Sequence, residues 1–159
     1  MNSRQVREIQ GFLDAFEQLN HGPEHTCTYE FEQVPWAGDL QASLEKHFRG
    51  LPGAPAEWSL TMEKVPTGLD GLRPVAGRWF FDEYFGGERG LGQNVTPATR
   101  AGCVELFVGF LADFFEGEHP KVWRLFARPA GDSVYERVVD EFALEHHHRV
   151  FWLHFGFTD

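Results

Sequence analysis

Four imidazoles lie within nine residues of one another near the end of the chain: His146, His147, His148 and His154, with Glu145 beside them. On a strand, His146 and His148 project from one face, and His154 joins them if the strand bends little. Two histidines and a carboxylate can hold zinc or a non-haem iron. The run falls where two strands must turn, however, and three consecutive imidazoles suit a polar hairpin tip. No HExxH or CxxC accompanies it, so the sequence assigns no metal. Glu116-Gly117-Glu118-His119 also mixes carboxylates with histidine, but it reads as a solvated helix end before Pro120.

Gly86-Gly87-Glu88-Arg89-Gly90-Leu91-Gly92 precedes a helix start, where backbone N–H groups can hold phosphate. It matches neither GxxxxGK[ST] nor GxGxxG, and no βαβ unit surrounds it, so no cofactor is assigned. The acid pairs Asp82-Glu83 and Asp140-Glu141 sit in strand-like stretches. Successive strand residues face opposite ways, so neither pair supplies two facing carboxylates. Cys27 and Cys103 are 76 residues apart and both have apolar neighbours. They read as reduced core thiols, and no GxSxG or other nucleophile arrangement is present.

The elements that must position these groups are legible from periodicity. Val6, Ile9, Phe12, Leu13, Phe16 and Leu19 form one apolar stripe, which predicts a helix over 4–20. Cys27, Tyr29 and Phe31 alternate with Thr28, Glu30 and Glu32 in a strand over 26–34. Asp39 caps a short helix with Leu40, Leu44 and Phe48 inward, ending at Gly50. Trp58, Leu60 and Met62 mark a second strand. Residues 66–77 hold two prolines and three glycines and read as a connection. Arg78 to Phe85 reads as a third strand with aromatics on both faces.

Thr96-Pro97 starts a helix running to about Glu116. It is apolar almost all round and is expected to be the central packing element. Val122–Arg128, Ser133–Leu144 and Arg149–Phe157 close the chain as strands. Their short links imply antiparallel pairing. Mixed order with clustered late strands predicts a single α+β domain over 1–159, an antiparallel sheet of about six strands on about three helices.

The chain has 159 residues and a net charge of −10. That charge argues against nucleic acid and anionic membranes as partners. No signal-peptide h-region or bilayer-length apolar run is seen, and the cysteines suit a reducing compartment, so a cytoplasmic protein is expected. The acidity is uneven. Between Arg7 and Lys46 there is no lysine or arginine, and residues 1–45 carry eight acids against two bases. These acids fall on the polar faces of the first helix, first strand and second helix.

A small acidic α+β chain without a catalytic motif has the profile of an inhibitor. Bacterial immunity proteins, which neutralise a toxic and often basic effector by occlusion, share that profile. No motif ties the chain to a family. The expectation is therefore a basic protein partner, met by Glu24, Tyr29, Glu30, Glu32, Trp36, Asp39 and Glu45. Two other readings compete with it. One is a small-molecule enzyme with a carboxylate or histidine site between sheet and helices. The other is a homodimer joined through the aromatic stretch Arg78–Phe85.

Overall fold

A computed structural model of the chain describes residues 3–22, 25–52, 57–81, 95–129 and 138–158. Helix α1 (Ser3–Asn20) leads into β1 (Thr26–Val34), α2 (Leu40–Gly50) and β2 (Trp58–Lys64). A short 3-10 turn (Gly68–Gly71) runs into α3 (Leu72–Phe81), and α4 (Pro97–Phe114) comes next. Three strands end the order: β3 (Lys121–Pro129), β4 (Val138–His146) and β5 (Arg149–Thr158). The start signals read from the sequence act as expected. Asp39 accepts from the Ala42 N–H at 2.7 Å, and Thr96 accepts from Thr99 with Pro97 opening α4.

The fold is α+β, with one antiparallel sheet in the order β1-β5-β4-β3-β2. Among the described residues it has five strands and four α-helices, where the sequence predicts about six and about three. The difference lies at Arg78–Phe85. Its first four residues are the last turn of α3, and residues 82–85 lie outside the described residues. The expected connection over 66–77 holds the 3-10 turn and the start of α3. Leu72, Val75, Ala76, Trp79 and Phe80 recur at helical spacing, and Phe81 is buried as well. A helix enclosed on several sides buries consecutive aromatics as readily as an interior strand does. Trp79, Phe80 and Phe81 belong to the core, while Tyr84 and Phe85 lie outside the described residues.

Strand alternation builds two cores, one on each side of the sheet. Cys27, Tyr29 and Phe31 of β1, and Phe151, Leu153 and Phe155 of β5, meet α1, α3 and α4. Val34, Val150, Trp152, Leu125 and Ala143 face the other way and meet Leu44 and Phe48 of α2. The central packing element is therefore β5, buried from Val150 to Gly156. Helix α4 instead lies outside it, burying Val104, Phe107, Val108, Leu111 and Phe114 while Leu106 stays 55% and Phe110 39% exposed. No described helix is long and apolar enough to cross a membrane.

Asp140 ties the layers together. Its carboxylate is 4% exposed and accepts from Trp79 Nε1 at 2.9 Å, Arg78 Nη2 at 3.3 Å and Arg124 Nη2 at 2.5 Å. The Trp79 carbonyl in turn accepts from Tyr29 Oη at 2.6 Å and Asn20 Nδ2 at 3.0 Å. Glu141, the next residue, points to the α2 side and meets His154 Nδ1 at 3.2 Å. The pair divides between faces as its spacing requires. Asp140→Ala is expected to cost about 2–4 kcal/mol in a denaturant melt, because it strands a buried indole N–H and removes a shared acceptor. A cost within about 0.5 kcal/mol, the range of ordinary surface substitutions, would show that α3 is held by ring packing alone.

Candidate functional site

The corner where β1 passes into α2 carries Glu32, Trp36 and Asp39 of the residues singled out from the sequence. Alternation sends Thr28, Glu30 and Glu32 to the α2 side of the sheet. Beyond Val34 the chain turns through Gly38, whose φ of 105° favours glycine, and enters α2 at Asp39. Ser43 fastens this turn: its hydroxyl donates to the Asp39 carbonyl at 2.6 Å and accepts from the Ala37 N–H at 2.9 Å. Trp36 is left 39% exposed, with its ring edge-on to His148 at 5.4 Å between centroids. Glu45 accepts from Gln41 at 2.8 Å and lies 3.7 Å from Arg49.

Glu32, Trp36 and Asp39 thus belong to one turn, whereas Glu45 sits with Gln41 on the flank of α2 that meets the Leu60 carbonyl of β2. Glu30 faces the same side one row further along, where β1 and β5 place it opposite His154. Tyr29 lies on the other face and is fully buried. Burial pushes its phenol well above the ordinary value, with the nearby Cys27 adding to the rise, and its hydroxyl serves α3 rather than a surface. Glu24 lies outside the described residues, as do Asp82, Glu83 and the glycine run over 86–92. Of the histidine group, His154 is buried beside Glu141 on the α2 side, while His148 lies against Trp36.

Several acids in the lysine- and arginine-free stretch have local duties. Glu8 pairs with Arg4 at 2.8 Å, and Asp14 accepts from Gln10 at 2.7 Å. Glu17 accepts the Tyr29 N–H at 2.8 Å, and Asp39 caps α2. Glu32 at the corner and Glu45 on the β2 flank of α2 remain on the surface as acids without a helix-capping role.

Beside them is a cleft of about 340 Å³, lined by Glu32, Pro35, Ser43, Lys46, His47 and the Gly50–Pro52 exit from α2. His47 is the residue here that reading the sequence for acids missed. It comes three residues after Leu44 and one before Phe48, a spacing that places it on the buried face of α2. Its ring lies 4.5 Å from that of Trp152, and its Nδ1 is 3.4 Å from Glu32 Oε1. Burial, with a smaller contribution from His154, pushes His47 down to about 4. At neutral pH it is therefore an uncharged aromatic surface and its contact with Glu32 is not an ion pair. Burial also raises the Glu32 carboxyl.

This arrangement makes stability depend on pH. The unfolded chain takes up a proton at His47 near 6.5, the folded one only near 4. Between those values the unfolded state holds more protons, so stability falls as pH drops through that window. Between about pH 7.5 and about pH 5 the native protein is expected to lose about 2 kcal/mol more than His47→Phe in urea unfolding. Equal losses in both proteins would assign the titration to another group.

No family model matches the chain, and no curated protein or solved structure matches it.

Proposed function

We propose that the chain is a binding module of the immunity or inhibitor kind, which occludes a basic effector protein with the corner between β1 and α2. The reading rests on one observation: exposed Trp36 lies between Glu32 and Asp39 in the β1–α2 turn, which Ser43 fastens. A rigid aromatic anchor ringed by charge is the usual anatomy of a strong contact point. Acids around it would steer a cationic partner and raise its association rate. Glu30 would extend the surface along β1. In this reading the protein works in the cytoplasm without a cofactor, and its partner is neither nucleic acid nor membrane.

A small-molecule site is the second reading. It is favoured by the cleft, which sets a neutral imidazole and a carboxylate 3.4 Å apart between sheet and α2.

The experiment is a pull-down from native lysate at low salt, eluted with high salt, and then kinetics with the captured protein. Glu32→Lys combined with Glu45→Lys is expected to slow association roughly tenfold and leave the melting temperature almost unchanged. Asp39 is left intact because its cap supports α2. Trp36→Ala should instead speed dissociation, costing about 2 kcal/mol of affinity. An association rate that ignores both salt and the double charge reversal would remove the steering mechanism. Capture of nothing at either salt level would remove the protein partner.

A further inference from the structure

The β4–β5 turn carries a second cluster, whose members come from two distant stretches of chain. His146 closes β4, and His147 and His148 form the two-residue link to Arg149. Both link residues have positive φ, 48° and 59°. A hairpin turn of that kind favours asparagine and glycine, so two histidines there are an unusual choice. Opposite the turn, α4 ends and the chain leaves through Glu116 and Gly117, also at positive φ (56° and 76°). This left-handed exit aims Glu118 back at the turn. Glu118 Oε2 lies 2.5 Å from His146 Nε2 and 2.8 Å from His147 Nε2.

One donor atom from each of the three side chains falls within 4.8 Å of the others. The His146 ring is 10% exposed and is braced against Phe115 at 5.5 Å, while His147 and Glu118 are open to solvent. The cluster therefore combines one fixed imidazole with two donors that an incoming ion can reach.

We propose that Glu118, His146 and His147 form a binding site for a divalent transition-metal ion, zinc being the ion this donor set fits best. Two imidazole nitrogens and one carboxylate oxygen are borderline ligands, which zinc takes at about 2.0–2.2 Å. Magnesium and calcium prefer donor sets made of oxygen. Three protein donors leave a tetrahedral position for water. The ion would join the exit of α4 to the β4–β5 turn, which are far apart in sequence and otherwise meet here through side chains. The site does not rest on the partner-binding reading.

The test uses tag-free, metal-stripped protein titrated with zinc chloride by calorimetry and with cobalt(II) monitored by visible absorption. One saturating equivalent of zinc, with an intense cobalt band of low coordination number, is the expected result. His147→Asn keeps a residue that tolerates the left-handed turn but removes the imidazole, and Glu118→Gln removes the charged donor. Each is expected to weaken zinc binding by about tenfold or more. His148→Asn changes the same turn without touching the donor set and should leave the affinity unchanged. Failure of the native protein to bind saturably overturns the site. So does unchanged affinity in His147→Asn, which would assign the ion to other histidines.

Discussion

A carboxylate cannot be buried at low cost unless several donors meet it, and the packing of α3 against the sheet is set by how Asp140 meets that demand. Its three donors come from Trp79 and Arg78 on α3 and from Arg124 on β3. They fix the roll of α3 about its own axis. With the roll fixed, the Trp79 carbonyl faces Tyr29 and Asn20, and β1 and the end of α1 are tied to the same point. The aromatic core fills in around this frame. Trp79 stacks on Phe155 at 5.9 Å, and Phe80 stacks on Phe16 at 4.3 Å. Ring packing is tolerant of small rotations, whereas a hydrogen-bonded indole is not, so the polar contact selects one packing among several.

The first helix does more than supply an apolar stripe. β1 is an edge strand, and an edge exposes unpaired backbone groups to other chains. Gln10 donates to the Tyr29 carbonyl at 2.9 Å and accepts from the Phe31 N–H at 2.6 Å, while Glu17 accepts from the Tyr29 N–H. Side chains of α1 thus stand in for a missing sixth strand. Part of the acidity of the first 45 residues is explained by this and by the cap at Asp39. In the proposed reading the acids left for a partner are Glu32 at the β1–α2 corner and Glu45 on the other flank of α2.

Much of the fold was legible wherever a period stood alone. The stripe from Val6 to Leu19, the alternation of β1 and β5, and the caps at Asp39 and Thr96 each reflect a local rule. Two kinds of feature were not legible. Trp79-Phe80-Phe81 is apolar without a gap, and such a run fits an interior strand and an enclosed helix equally; only the contact with Asp140, 61 residues later, decides. The apolar circumference of α4 likewise suggested a central helix, yet Leu106 and Phe110 face outward. At the candidate corner, Glu32, Trp36 and Asp39 were readable because they are close in sequence, while Glu45, six residues on, falls on the other flank of α2. Tyr29 alternates with Cys27 and Phe31 on the apolar face of β1, so the same alternation that turns Glu30 and Glu32 outward turns it inward, away from any partner. The meeting of Glu118 with His146 spans 28 residues and two left-handed turns, which no local pattern encodes.

The position of β5 governs how the protein can be made. It is the second strand of the sheet in space, paired on both sides, yet it is synthesised after every other strand. Until it leaves the ribosome, β1 has no sheet partner and β4 has a bare inner edge. The N-terminal helix and strand must wait through more than a hundred residues of translation before their sheet closes. Closure is then a single late insertion between two distant segments, a high-contact-order step and therefore a slow one. During that delay the inner edges of β1 and β4 both stand open, while α1 covers only the outer edge of β1.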